Sequence, residues 1–364
     1  MIFKKTKKIL MISSTSKLGG GPIQMFTLGN SLSNEFEVFY AIPNGINFSK
    51  YLKNKKYIFI SERKINFKDI IKLVNYVLKN DIDILHAHGK GASALARITK
   101  LFVWKPIIYT YHGIHLECHS LSKKIIYLIY EYLTGFFDKC KIFVSQSEMN
   151  YARSFFFNLG LESHIIFNGV QNKKIKYASK RNSEINHLNF QNKIKVVSVC
   201  RFVKQKNIKG IICIAEKAQN LDFFIIGEGP LWKEINNLIL EKELKNIFLL
   251  GKKNDVYKYL YDSDIYLSSS LYEGLPLSIL EAMSVGLPIV ASDVTGNCDT
   301  LEDKISGYLY KPNDFEAAAK YLKKLALNKE YRIKLGNAAF IRQRELFSIK
   351  KMIISYQNIY KKIL

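Results

Sequence analysis

Two glutamates eight residues apart bracket a Gly and a Pro in the string Ser270-Leu271-Tyr272-Glu273-Gly274-Leu275-Pro276-Leu277-Ser278-Ile279-Leu280-Glu281-Ala282-Met283. The segment before it, Asp264 to Ser268, has the short apolar, β-branched character of a buried strand, and Leu277 to Val285 carries helix formers with apolar residues at helical spacing. The expected order is strand, tight turn through Gly274 and Leu275, then a helix with Pro276 at or near its first position, where the missing N–H costs nothing. Such an order aims unpaired backbone N–H groups and the positive end of a helix dipole at one point beyond the carboxyl end of a strand, where α/β sheets bind anions. Glu273 then projects from the turn and Glu281 from the second turn of the helix. Carboxylates accept hydrogen bonds from ribose and sugar hydroxyls, so two of them beside an anion site suit a nucleotide sugar.

Other residues with chemical potential follow strands. Arg201 and Lys206, five apart, come after the strand ending at Cys200, and Gly227-Glu228-Gly229-Pro230 follows the apolar run Phe223–Ile226. Gly19-Gly20-Gly21-Pro22 reads as a loop between the first strand and a helix, open to close backbone approach by a ligand. It is not a dinucleotide fingerprint, because the spacing is not Gly-x-Gly-x-x-Gly and the second strand ends in Phe39-Tyr40-Ala41-Ile42-Pro43 with no carboxylate for a ribose. His86, His88, His112, His115 and His119 cluster with Cys118, but without zinc spacings such as Cys-x-x-Cys or His-Glu-x-x-His, and no metal site is expected there. Two Asp-x-Asp pairs, Asp81/Asp83 and Asp262/Asp264, fall at the amino ends of strands, the wrong end for this chemistry.

The Glu273-to-Glu281 string, with Ser before it, Gly-Leu-Pro within it and Ala-Met after it, resembles the hallmark of retaining glycosyltransferase family 4, a Glu, seven residues, then a second Glu. That resemblance implies contact of Glu273 with the donor sugar and of Glu281 with the ribose, with Gly274, Leu275 and Pro276 forming the donor-binding turn. Arg201 and Lys206 resemble the family's pair on the donor diphosphate, with Cys200 where the family usually has Gly. Gly229 matches its second-domain glycine turn, and Gly20 and Gly21 the segment facing the donor phosphate or the acceptor. Thr110-Tyr111-His112-Gly113 and Asp83-Ile84-Leu85-His86-Ala87-His88 are similar to segments whose histidine faces the donor sugar, which makes His112 the first candidate and His88 the second; His86 reads equally well as a structural histidine. Asn168-Gly169-Val170 matches a signature at the domain boundary, and Thr295-Gly296-Asn297 follows a strand toward the donor pocket. The likeness runs from Gly19 to about Gly307 and is strongest from Arg201 onward. It implies a GT-B fold and a retaining, metal-independent hexosyltransferase. The donor would be a nucleotide-diphosphate sugar, UDP-sugar foremost, and the acceptor a saccharide or lipid-linked saccharide in surface polysaccharide assembly, as in lipopolysaccharide or capsule. No cofactor is expected.

Strand and helix patterns alternate in both halves. Ile9–Ser13, Glu37–Ile42, Ile82–His86, Ile107–Tyr111 and Lys141–Ser145 read as strands; Gln24–Ser33, Phe67–Leu78, Ala92–Leu101, Lys123–Phe137 and Glu148–Asn158 read as helices. Periodicity lapses from Gln171 to Asn192, a linker, and strands resume at Lys195–Cys200, Phe223–Gly227, Ile247–Leu250, Ile265–Ser268 and Ile289–Ser292. Phe315–Leu327 and Glu330–Phe347 close the second domain. The expected fold is α/β: two facing, doubly wound Rossmann-like domains, 1–170 on the acceptor side and 193–348 on the nucleotide-sugar side, with a cleft between them and the segment 349–364 crossing back to the first.

At 364 residues and 48% hydrophobic content the chain accommodates two globular domains, and no run approaches the roughly 18 apolar residues of a membrane span. Met1 to Met11 is too basic, and too short in its apolar part, to be expected as a signal peptide, and five scattered cysteines suit reduced thiols in the cytoplasm. A formal charge of +24, spread over both halves, calls for phosphate-rich partners: a nucleotide donor, an anionic membrane or nucleic acid. Nucleic acid is disfavoured, since basic residues neither cluster on one face nor form a binding motif. A sugar-nucleotide epimerase of the same architecture is the nearer rival. The stretch Lys123–Leu133 fits two roles, a core helix or a basic, aromatic helix docked on the inner face of the plasma membrane.

Overall fold

Short apolar strands separated by helices pair in parallel, because the crossovers return each strand in the same direction. A computed structural model of the chain describes residues 6–17, 19–45, 48–114, 116, 120–155, 162–171, 183–188 and 193–364. Its strands are β1 Lys7–Ser13, β2 Phe36–Pro43, β3 Lys56–Ile60, β4 Ile84–His88, β5 Ile107–Thr110, β6 Asp138–Phe143 and β7 Glu162–Ile165, then β8 Ile194–Val199, β9 Leu221–Ile226, β10 Ile247–Gly251, β11 Ile265–Ser268, β12 Ile289–Ser292 and β13 Tyr308–Tyr310. They form two sheets, ordered β3-β2-β1-β4-β5-β6-β7 and β10-β9-β8-β11-β12-β13, and every described strand pairing is parallel. Both are Rossmann-like, with the strand order reversing between β1 and β4 in one and between β8 and β11 in the other.

The chain divides into two units, Met1–Gly169 with Ile349–Leu364, and Val170–Ser348. In the first unit β1 alternates sides: Leu10 and Ile12 enter a core shared with the helices Phe67–Asn80 and Lys90–Val103, while Ile9 and Met11 enter one shared with the helices Gly20–Ser31 and Ile349–Ile363. The last helix buries Met352, Tyr356 and Tyr360 in that second core. In the second unit the helices Ile208–Lys217, Trp232–Glu241 and Phe315–Leu327 cover β8, β9 and β11 through Val196, Phe223 and Leu267.

The same lock recurs at the amino rim of each sheet. Asp83 accepts the Lys8 N–H at 2.8 Å and returns its own N–H to the Lys8 carbonyl at 2.9 Å; Asp264 does the same with Lys195, at 2.9 Å in both directions. Asp262 accepts the Ser183 N–H at 2.7 Å. The aspartates of both Asp-x-Asp pairs therefore sit at strand starts, and three of the four carboxylates serve the backbone there.

Several expectations shift. Gly20 and Gly21 are not loop residues but the first turn of the helix Gly20–Ser31, whose N-cap is Gly19, because two glycines before a proline are tolerated in a first turn that needs no N–H partner. Pro276 does stand near the first helical position, as the N-cap of the helix Leu277–Ser284, in extended conformation. The strands β3, β7 and β13 are additional: β3 and β7 are half-exposed edge strands with no clean alternation, and β13 is three residues long. Most of the linker 171–192 lies outside the described residues, as do His115, Cys118 and His119; the described part holds a short helix, Glu184–Leu188.

Candidate active site

The carboxyl ends of β8 and β11, at the reversal point of the second sheet, open onto a hollow lined by Val199, Cys200, Lys206, Ser268, Ser269, Ser270 and Ser278. Two loops make its walls. The loop after β8 is held from below by the Gly227-Glu228-Gly229 turn: Phe202 N–H donates to the Glu228 carbonyl at 2.9 Å, and Leu231 N–H to the Phe202 carbonyl at 3.1 Å. A Cβ on Gly227 (φ +137) would lie 1.8 Å from the Cys200 carbonyl oxygen, and one on Gly229 would lie 2.6 Å from that of Phe202. The glycines of this turn admit the backbone of the Arg201 loop, which explains their presence without a ligand. Cys200, in the family's Gly position, is half-buried, and burial pushes its thiol up to about 12.

The loop after β11 is stitched to the first. Leu271 N–H donates to the Gln205 carbonyl at 2.8 Å, and the Ser269 hydroxyl is shared between the carbonyls of Lys206 (3.0 Å) and Asn207 (2.8 Å). Lys206, closing a 3-10 turn, donates through Nζ to Glu273 Oε1, which also accepts the Ser270 hydroxyl at 2.6 Å. Gln205 Nε2 reaches Glu273 Oε2 at 3.3 Å and the Tyr272 carbonyl at 2.9 Å. Glu273 is thus a buried carboxyl group (6% exposed) whose oxygens accept from one cation and two neutral donors. Ser270 opens the string that holds Glu273 and Gln205 lies between Arg201 and Lys206, yet nothing in their spacing marks them as partners of Glu273.

Behind the turn lies a third loop. Glu273 N–H donates to the Thr295 carbonyl at 3.1 Å, and Gly296, at φ +83, leaves no room for a Cβ, which would stand 2.5 Å from the Gly274 carbonyl oxygen. The Ser292 hydroxyl donates to the Ser270 carbonyl at 2.5 Å. Gly274, Leu275 and Pro276 are buried, and the helix Leu277–Ser284 starts without a side-chain cap or an acidic residue in its first turn, so its leading N–H groups remain for an anion. Glu281, half-buried one turn on, has its carboxyl pushed up to about 7 by burial. Burial first, then the Glu281 charge, raises the neighbouring Tyr257 phenol. Arg201 is exposed at the mouth of its loop. The structure thus gathers Lys206, Glu273 and the 274–276 turn directly, with Glu281 on the helix that the turn opens.

His112 belongs to the first unit. His112 Nε2 and His88 Nδ1 share a hydrogen bond at 3.0 Å, the rings stacked with centroids 5.3 Å apart. Both histidine candidates therefore form one pair. Gly21 explains how His112 fits: a Cβ there would lie 3.2 Å from the imidazole, so the first turn of Gly20–Ser31 rests on the ring. His86 is satisfied on both nitrogens, by Tyr360 OH at 2.7 Å and Thr110 Oγ1 at 2.8 Å, the structural role. Burial lowers all three, His86 to about 3 and His112 to about 4, and holds them neutral at physiological pH. The described cysteines are free thiols.

Two family models divide the chain: Glycosyltransferase Family 4 matches residues 18–173, and Glycosyl transferases group 1 matches residues 179–342. The chain belongs to glycosyltransferase family 4. An Escherichia coli relative, UDP-Gal:alpha-D-GlcNAc-diphosphoundecaprenol alpha-1,3-galactosyltransferase, is 29% identical over 269 residues, covering 69% of this glycosyltransferase and 68% of its own length. The capsular polysaccharide biosynthesis glycosyltransferase CapM of Staphylococcus aureus is 23% identical over 380 aligned positions, covering 99% of this chain and 98% of that one. Among solved structures, Anabaena HepE in complex with UDP and glucose superposes with a TM-score of 0.86 at 18% identity, covering 98% of this glycosyltransferase and all of HepE, which carries the GT-B fold. Neither an epimerase nor a nucleic-acid-binding protein is favoured by these likenesses.

Proposed function

We propose that this glycosyltransferase moves a hexosyl group from a UDP-sugar to a saccharide or lipid-linked saccharide in surface-glycan assembly, with retention of configuration and without a metal. The observation that carries the reading is the hollow at β8 and β11, where Lys206, Glu273 and an uncapped helix start converge. Lys206, Arg201 and the N–H groups of Leu277–Ile279 meet the charge that grows on the leaving diphosphate, the preorganised electrostatics that dominate such steps. Glu281, near the same helix start, accepts the ribose hydroxyls, and Glu273 the sugar hydroxyls. In support of a metal-free reaction, Lys206 and Arg201 follow β8 beside the hollow, and the aspartates of both Asp-x-Asp pairs lie at the opposite rim, three of them tied to the backbone. His112, held by His88, is the sugar-side histidine of the first unit.

In the transfer, the bond from the anomeric carbon to the diphosphate oxygen breaks as the acceptor oxygen bonds on the same face, and the acceptor proton passes to the departing phosphate. HepE crystallised with UDP and glucose supports the donor class, and the diphosphoundecaprenol in the E. coli relative's name supports a lipid-linked acceptor. The test is a panel of UDP-sugars with lipid-diphosphate and free saccharide acceptors. Expected are UDP release that requires an acceptor, an α-linked product from an α-linked donor by NMR, and rates unaffected by EDTA. Acceptor-independent conversion of the donor, an inverted product or loss of rate in EDTA would each overturn the corresponding part.

A further inference from the structure

The helix Leu121–Thr134 is inverted relative to an ordinary surface helix. Leu121, Ile125, Ile129, Tyr132 and Phe136 recur at intervals of 4, 4, 3 and 4 along the helix and the 3-10 turn after it, and these side chains are 73%, 46%, 52%, 73% and 65% exposed. Ile126 and Leu133 widen the stripe. The helix's one acid, Glu131, points the other way and is buried at 1% exposure. Its Oε2 accepts Arg97 Nη2 at 2.9 Å and the Tyr111 hydroxyl at 3.2 Å. Arg97 also makes a two-pronged contact with Asp138, at 3.1 and 2.6 Å, and reaches Thr134 Oγ1 at 2.9 Å. Breaking a buried charge network of this kind is costly, so the helix cannot roll to hide its apolar side.

What covers an apolar face fixed outward must be apolar at its centre and anionic at its edge. Lys123 is exposed near one end of the segment and Lys139 just past the other, at the start of β6, Lys124 is half-exposed beside the first, and no acid of the helix faces out. A symmetric contact with a second copy would bring these lysines together on a chain of formal charge +24. A bilayer surface with anionic lipid meets both demands, with the tyrosine and phenylalanine at headgroup depth. No described helix is long and apolar enough to cross a membrane, so the contact is with the surface. We infer that the exposed face of Leu121–Phe136 is a docking surface for an anionic lipid bilayer. This deepens the lipid-linked acceptor of the proposed function and identifies the face of the first unit that meets the membrane.

Sedimentation of the full chain with phosphatidylcholine vesicles, with or without phosphatidylglycerol, tests it, no donor being present. Expected is binding to the anionic vesicles, weaker on neutral ones, that falls but does not vanish in high salt. The double substitution Ile129→Glu, Leu133→Glu changes only exposed positions and should lower partitioning by about tenfold or more with an unchanged melting temperature. Undiminished partitioning of that variant, absence of sedimentation at low salt, or a concentration-dependent dimer abolished by the same substitutions would overturn the inference. Transfer to a water-soluble acceptor, measured separately, reports on the proposed reaction alone, so the two readings fail independently.

Discussion

Lys206 and Glu273, 67 residues apart, are ion-paired inside the second unit, and Ser270 shares the same carboxylate oxygen. The pair has a structural and a chemical use that substitutions can separate. Lys206→Met leaves a buried carboxylate without its cation, with an expected loss of roughly 3 kcal/mol in stability. The double variant Lys206→Met, Glu273→Gln should recover more than half of that loss in urea unfolding. Transfer should stay depressed by about 100-fold or more in both if Lys206 faces the leaving group as proposed, since that cation is gone. Recovery of rate along with stability would show the lysine to be purely structural.

Arg201 stands exposed, so its removal should not disturb folding. Arg201→Ala is expected to raise the Kd for UDP by about tenfold or more, the scale of one charge-assisted hydrogen bond, with a melting temperature within about 1 °C of the parent. Isothermal titration alongside a thermal melt checks both halves, and an unchanged Kd removes Arg201 from the donor site.

Glu281 carries a carboxyl raised to about 7 by burial, so it is part-protonated at neutral pH in the free enzyme. A ribose hydroxyl donates better to the carboxylate than to the acid, and donor KM should therefore fall as pH rises from about 6 to 8. Glu281→Gln should flatten that profile. A wild-type KM that is level across the range contradicts the assigned ribose contact.

Acid should act on the first unit through His86. The folded protein keeps this imidazole neutral down to about pH 3, whereas the unfolded chain takes up its proton near the ordinary value of 6.5. Stability is thus complete above about pH 6.5 and is lost progressively as pH falls toward 3, by on the order of a few kcal/mol from this group. His86→Gln should be less stable at neutral pH, with Tyr360 and Thr110 deprived of an imidazole, but shallower in its loss between pH 6 and 4 by chemical denaturation. Parallel profiles would rule His86 out as a source of the acid sensitivity.

Gly296 and Gly89 both hold positive φ, at +83° and +85°, but only Gly296 has backbone within 3 Å of where a Cβ would stand. Alanine at Gly89 should cost about 1 kcal/mol from backbone strain alone. At Gly296 the added clash with Gly274 should cost several times more and weaken donor binding as well, because the Glu273–Gly274 turn must move. Equal costs at the two positions would show that the turn yields easily.

Most strands and helices were legible because fully buried parallel strands read as apolar runs: β1, β4, β9 and β12 left little choice. The edge strands β3 and β7 were not, since a half-covered edge needs neither a continuous apolar run nor alternation. At the site, Glu273, Lys206 and the turn were visible as separate strings, but their contact depends on two loops meeting at the strand-order reversal, a long-range relation with no local signature. The sequence presents His88 and His112 as separate candidates, whereas they share a hydrogen bond, because neighbouring strand ends are close only in space. In Leu121–Thr134 the periodic pattern is plain, but no pattern of spacing says that the acid faces in and Ile125, Ile129 and Leu133 out.

The repeated aspartate lock, Asp83 with Lys8 and Asp264 with Lys195, has an evolutionary consequence. Each sheet is fastened at the rim remote from the candidate-site loops, so part of its stability is set away from them. Mutational drift at the opposite rim can then retune which glycan is made while the scaffold stays viable, a division of labour that favours diversification among enzymes of this kind.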